Sequence, residues 1–204
     1  MAAVATERRR YTVSEFLALA ADLELAGVQQ WFEIVEGELV AYASPVDPHM
    51  RADIACLMLL IDAQRAGYGR AGNDRVVVLD YQAPDITVEH AYKPDAFFVT
   101  SEREVILQHP EVPAVVGAPD IVVEVLSPST ARHDRPPRGK KFKAYEHYGV
   151  RYYWLVDTVR QTIAIYERRG NRLVETAVLQ PDETLRCPLF PELGVEVAWL
   201  FRSR

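Results

Sequence analysis

One glutamate inside an apolar run constrains this chain more than any other feature. Ile121-Val122-Val123-Glu124-Val125-Leu126 is almost wholly aliphatic rather than alternating, so it reads as a strand covered on both faces. A carboxylate among such residues is costly to bury unless it is paired or holds a cation. Glu124 therefore marks a site. A second run has the same design, because Lys93-Pro94-Asp95 leads into Ala96-Phe97-Phe98-Val99 and places a carboxylate where another buried strand begins. A basic segment follows Glu124, with Arg132, Arg135, Arg138, Lys140, Lys141 and Lys143 set against the single Asp134.

The 204 residues suffice for one well-cored domain and leave little room for two. The reading is a single domain over residues 1–204, with 1–11 as a flexible N-terminus. No apolar run approaches the roughly 20 residues needed to span a bilayer, and Arg8-Arg9-Arg10 lacks the apolar core of a signal peptide. A cytoplasmic protein with no membrane partner is expected. Cys56 and Cys187 are the two cysteines, and without CxxC or zinc-like histidine spacing they read as buried thiols. A net charge of −6 argues against a strongly nonspecific nucleic-acid binder. The local concentration of basic residues matters more than the sum.

Thr12-Val13-Ser14-Glu15 forms a capping box, and Phe16, Leu17, Leu19, Ala20 and Leu23 give a helical apolar face that ends near Gly27. Trp31 to Val35 and Glu38 to Tyr42, joined by Glu36-Gly37, read as a β-hairpin. A second helix follows, with Asp47 as N-cap, Pro48 in the first turn and Gly67 at the close. Strands are expected at 75–79, 86–88, 96–99 and 121–126, a short helix from Gly139 to Tyr148 ended by Gly149, and strands at 152–156, 162–166, 172–179 and 195–200. The fold class is α/β, with a mixed central β-sheet flanked by helices.

Two strand acids followed by a basic helix suit phosphodiester hydrolysis. Mg²⁺ is commonly held by one or two carboxylates plus water and substrate phosphate, so Asp95 and Glu124 suffice as the core of a site for Mg²⁺ or Mn²⁺. Lys141 supplies the remaining positive charge near the attacking water. Asp120 shares strand parity with Glu124 and is a candidate third ligand. Glu33 and Glu38 on the hairpin and His49 at the second helix are accessory candidates. Arg132, Arg135, Arg138, Lys140 and Lys143 are the candidate nucleic-acid contacts. Tyr145, Tyr148, Tyr152, Tyr153 and Trp154 read as core.

An ordered series of segments resembles the bacterial Uma-two family. It comprises Phe32 to Leu39, Ser44-Pro45 with His49, Lys93-Pro94-Asp95, Ala118 to Ser129, Lys141-Phe142-Lys143-Ala144-Tyr145, Gly149-Val150 and Tyr153 to Asp157. The likeness covers roughly residues 12 to 201. It implies a restriction-endonuclease-like fold of the PD-(D/E)XK nuclease superfamily, DNA as partner, a divalent metal and a possible homodimer. By resemblance Asp95 matches the strand aspartate, Glu124 the second acid, and Glu38 or Glu33 the accessory glutamate. The superfamily's lysine two positions after the second acid is replaced here by Leu126, so the amine is expected from Lys141, with Lys140 as fallback. The segment from Asp134 to Lys141 is lengthened through Arg135-Pro136-Pro137-Arg138.

The alternative reading is a catalytically inactive nucleic-acid-binding or interaction protein on the same fold. A third takes Asp95 and Glu124 as a glycosidase acid pair, which needs a sugar-lined groove.

Overall fold

A computed structural model describes residues 9–28, 30–43, 47–127 and 134–202. Helix α1 (Val13–Leu25) starts at the expected capping box, with Thr12 accepting from the Glu15 N–H and Glu15 bonding back to the Thr12 N–H. Strands β1 (Gln30–Val35) and β2 (Glu38–Ala43) form the hairpin. Glu36 and Gly37 both take positive φ, 51° and 74°, the geometry that lets a two-residue turn follow the right-handed strand twist. Helix α2 (Asp47–Arg65) includes Asp47 itself, and the position before it lies outside the described residues.

Then come β3 (Gly69–Gly72), β4 (Val77–Val78), β5 (His90–Tyr92), β6 (Ala96–Thr100), a 3₁₀ helix (Ser101–Leu107), β7 (Val115–Val116) and β8 (Ile121–Val125). Helix α3 (Lys140–Tyr148) ends at Gly149, whose φ of 98° is the left-handed cap. The chain finishes with β9 (Tyr152–Asp157), β10 (Thr162–Arg169), β11 (Arg172–Leu179), β12 (Thr184–Arg186), β13 (Gly194–Glu196) and α4 (Val197–Phe201).

The sheet order is β11-β10-β9-β8-β6-β3 in one six-stranded sheet and β2-β1-β5-β4-β7 in a five-stranded one. The larger sheet is mixed, because β8 and β9 run parallel while its other pairs are antiparallel. Side-chain alternation divides the core into layers. Ile121, Val123 and Val125 of β8 join Ala52, Cys56, Leu60, Val197 and Leu200 on the side of α2 and α4. Val122, Phe97 and Tyr153 face the other way and meet Val35, Val77 and Tyr92 of the smaller sheet, with Phe142 and Tyr145 of α3. Helix α1 covers the outer face of the smaller sheet through Val13 and Phe16 against Ile34, Val78 and Ala91. Glu124 has the parity of Val122, so it points into the layer between the two sheets.

Some expected elements differ. Ile86 to Val88 is not a strand but carries one isolated bridge, Thr12 to Thr87, and the pairing falls instead to β5. The segment 195–200 is a three-residue strand followed by a helix, because Val197 and Leu200, spaced three apart, both reach the core. Tyr11, expected in a flexible terminus, is buried and accepts the Val88 N–H at its carbonyl.

Candidate active site

The last β6–β8 pair is Ala96 with Val123, and Asp95 stands in the bend just before β6. The two acids, far apart in sequence, thus come close together, Glu124 within β8 and Asp95 at the entry to β6. Asp95 Oδ2 accepts the Val125 N–H at 2.6 Å, and its Oδ1 lies 3.5 Å from His49 Nε2 on α2. From the third side α3 delivers Lys141, which is 1% exposed. Its Nζ lies 2.8 Å from Glu124, 3.1 Å from Glu33 and 3.5 Å from Asp134. The ammonium also sits over the Tyr92 ring, 5.7 Å from its centre.

Glu124 is further fixed by the Tyr145 hydroxyl, which donates to Oε1 at 2.8 Å. Glu33 Oε1 accepts the Lys93 N–H at 2.8 Å, which ties the hairpin to the residues before Asp95. Burial drives the carboxyls of Glu124 and Asp95 well above the usual carboxylate range, against the pull of Lys141 on Glu124 and of the Val125 N–H on Asp95. Lys141 is raised as well: burial alone would lower its pKa, but Glu124, Glu33 and Asp134 together hold it well above the ordinary lysine value. Burial pushes the His49 imidazole down, toward the neutral form.

The cluster holds more acids than amines. Glu33, Glu124 and Asp134 surround one ammonium, while Glu33 Oε2 and both Asp134 carboxylate oxygens are buried without a hydrogen-bond partner. A hard divalent cation fits this donor chemistry. Among the described residues no group of three or more His, Cys, Asp and Glu is disposed to hold a metal ion. A cation on Asp95 and Glu124 would therefore complete its shell with water and substrate oxygens, which is the habit of Mg²⁺.

The other expected residues are placed as follows. Glu33 joins the cluster, and Glu38 lies on the same hairpin face, opposite Val35. His49 is buried at the edge of the site. Asp120 is not brought to the cluster: it lies just before β8, about 13 Å along the chain from Glu124, and is held by the Thr100 N–H and hydroxyl and by Arg103 and Arg151. Its oxygens are occupied by structural partners. Lys140 pairs with Glu36 at 2.7 Å and Arg135 with Asp157 at 3.1 Å, while Arg138 and Lys143 are exposed. Arg132 lies outside the described residues. Three residues escaped the sequence reading: Asp134, visible only as a lone acid in a basic run; Tyr145, read as plain core; and Asp53, one helical turn after His49 on α2.

The family model for Uma2, described as "Putative restriction endonuclease", matches residues 13–198. The chain belongs to the Uma2 family. A solved structure, that of "a putative nuclease belonging to DUF820 from Anabaena variabilis ATCC 29413", shares the fold with a TM-score of 0.71 and 22% identity, covering 94% of this chain and 97% of that one. No curated protein matches the chain. The Uma2 match and the mixed α/β architecture agree with the resemblance read from the sequence. No helix among the described residues is long and apolar enough to cross a membrane.

Proposed function

We propose that this Uma2 protein is a metal-dependent endonuclease that hydrolyses DNA phosphodiester bonds, with Mg²⁺ or Mn²⁺ held by Asp95 and Glu124. The observation that supports it is the convergence of one buried lysine on Glu124, whose strand neighbour Val125 donates its N–H to Asp95. The cation would neutralise phosphate charge and activate a water. Lys141 and Tyr145 both contact Glu124 through Oε1. Their contacts fix the carboxylate in position before substrate arrives. Lys141 also favours the ionised form of Glu124, which a metal requires. Glu33 and Asp134 hold the ammonium in place.

The test is cleavage of plasmid DNA with Mg²⁺ or Mn²⁺ by wild type and Glu124→Gln. Losing a metal ligand removes several kcal/mol of transition-state stabilisation, so the rate falls at least about a hundredfold. Unchanged metal-dependent cleavage refutes the assignment. The complete ion pairing of Lys141 favours a second reading, an inactive nucleic-acid-binding protein on the same fold. DNA binding without any Mn²⁺ binding by calorimetry selects that one.

A further inference from the structure

The cavity that opens at Asp95 is poorly suited to a phosphate. It measures about 260 Å³ and its walls include Trp31, Asp53, Asn73, Asp74, Lys93 and Asp95. The Lys93 ammonium is paired with the Asp74 carboxylate, so the wall cation is neutralised. Asp53 and Asp95 line the wall with acids rather than cations, and a phosphodiester backbone seeks unpaired cations. A neutral group is admitted more readily than an anion.

The same cavity has what a planar heterocycle needs. Trp31 is partly exposed and stacks on Tyr42, with ring centres 5.7 Å apart and planes 23° from parallel. Its indole is thereby held as a fixed platform, and Asn73 and the carboxylates offer hydrogen-bonding groups beside it. A second cavity of about 460 Å³ shares Trp31, Asp74 and Lys93 and continues toward α1, so the platform lies along a groove rather than in a dead end. Trp31 has the strand parity of Glu33, two residues on, whose carboxylate meets Lys141. The platform and the acid cluster share one face of β1.

We propose that this cavity receives an unpaired nucleobase of the substrate strand, stacked on Trp31, next to the phosphodiester presented to Asp95 and Glu124. The inference rests on the nuclease reading and narrows its substrate to single-stranded or locally unpaired nucleic acid. Base–aromatic stacking is sequence-tolerant, so the preference is for strandedness more than for sequence.

The experiment uses the full chain and a short fluorescein-labelled oligonucleotide, single-stranded or annealed to its complement. Binding is followed by anisotropy in Ca²⁺, and cleavage is followed separately in Mn²⁺. The single strand is expected to bind more tightly than the duplex. Trp31→Ala weakens single-strand binding about tenfold or more, while Trp31→Phe retains most of it. Asn73→Ala, an exposed substitution that spares the core, alters the ranking of the four homopolymers and keeps the test valid if Trp31→Ala folds poorly. Equal single-strand affinity of wild type and both Trp31 variants overturns the base pocket, as does failure of wild type to bind any oligonucleotide. Trp31-dependent binding without cleavage upholds the pocket and sinks the nuclease reading. Cleavage indifferent to Trp31 does the reverse.

Discussion

The ammonium of Lys141 lies 2.8 Å from the Glu124 carboxylate, although one belongs to a helix and the other to the strand before it. In the proposed nuclease, that contact stands in for the lysine that Leu126 replaces. It also makes Lys141 the ammonium that compensates Glu33, Glu124 and Asp134.

Lys141→Met is therefore expected to destabilise the fold strongly at neutral pH. Removing one partner of a buried ion network leaves uncompensated charge and costs about 3–5 kcal/mol. The loss shrinks in acid, where Glu33 and Glu124, whose carboxyls burial already pushes up, take up protons. Urea midpoints with an unchanged denaturant slope measure it. A variant as stable as wild type near pH 7 means that the ammonium does not compensate these acids.

Asp120→Asn separates structural from functional acids. Burial alone would raise the Asp120 pKa, but the Thr100 N–H and the Arg103 guanidinium outweigh it and hold the carboxyl below its ordinary value. Its stabilisation is thus present above the ordinary carboxylate pKa and is lost as pH falls below it. The substitution should cost about 1–3 kcal/mol near pH 7 and leave Mn²⁺ affinity unchanged by calorimetry. A large drop in Mn²⁺ affinity would return Asp120 to the metal shell.

Asp53 behaves in the opposite sense. Burial, reinforced by Asp74, pushes its pKa up from 3.8 to about 6, so between those values the folded chain holds a proton that the unfolded chain has released. Stability falls as pH rises through that window. Asp53→Asn should then gain on the order of 1 kcal/mol at about pH 8 and almost nothing at about pH 4, the figure being reduced for partial solvent screening. Equal gains at both pH values would show that the charge of Asp53 is not what the site penalises.

Much of this arrangement was legible in the sequence because its signals are local. The Thr12–Glu15 capping box, the Glu36-Gly37 turn and Gly149 each fix an element end through a backbone requirement. Asp95, Glu124 and Lys141 stood out because acids in apolar strands demand a compensating charge nearby. What was hidden depends on register and close approach. Gly69–Gly72 has no strand-like composition, yet it pairs with β6, where the Phe97 ring occupies the space a side chain at Gly72 would need. Asp120 shares the parity of Glu124, but parity fixes only a face, and four residues of strand carry Asp120 to Arg103 instead. Asp134 reads as one charge in a basic loop until α3 packs and buries it beside Lys141.

The most direct measurement is a crystal of the wild-type protein soaked in Mn²⁺, with anomalous scattering recorded at the manganese edge. The account predicts one peak between the carboxylates of Asp95 and Glu124, lost in Glu124→Gln. A map with no peak there, or with its only strong peak at Asp120, contradicts it.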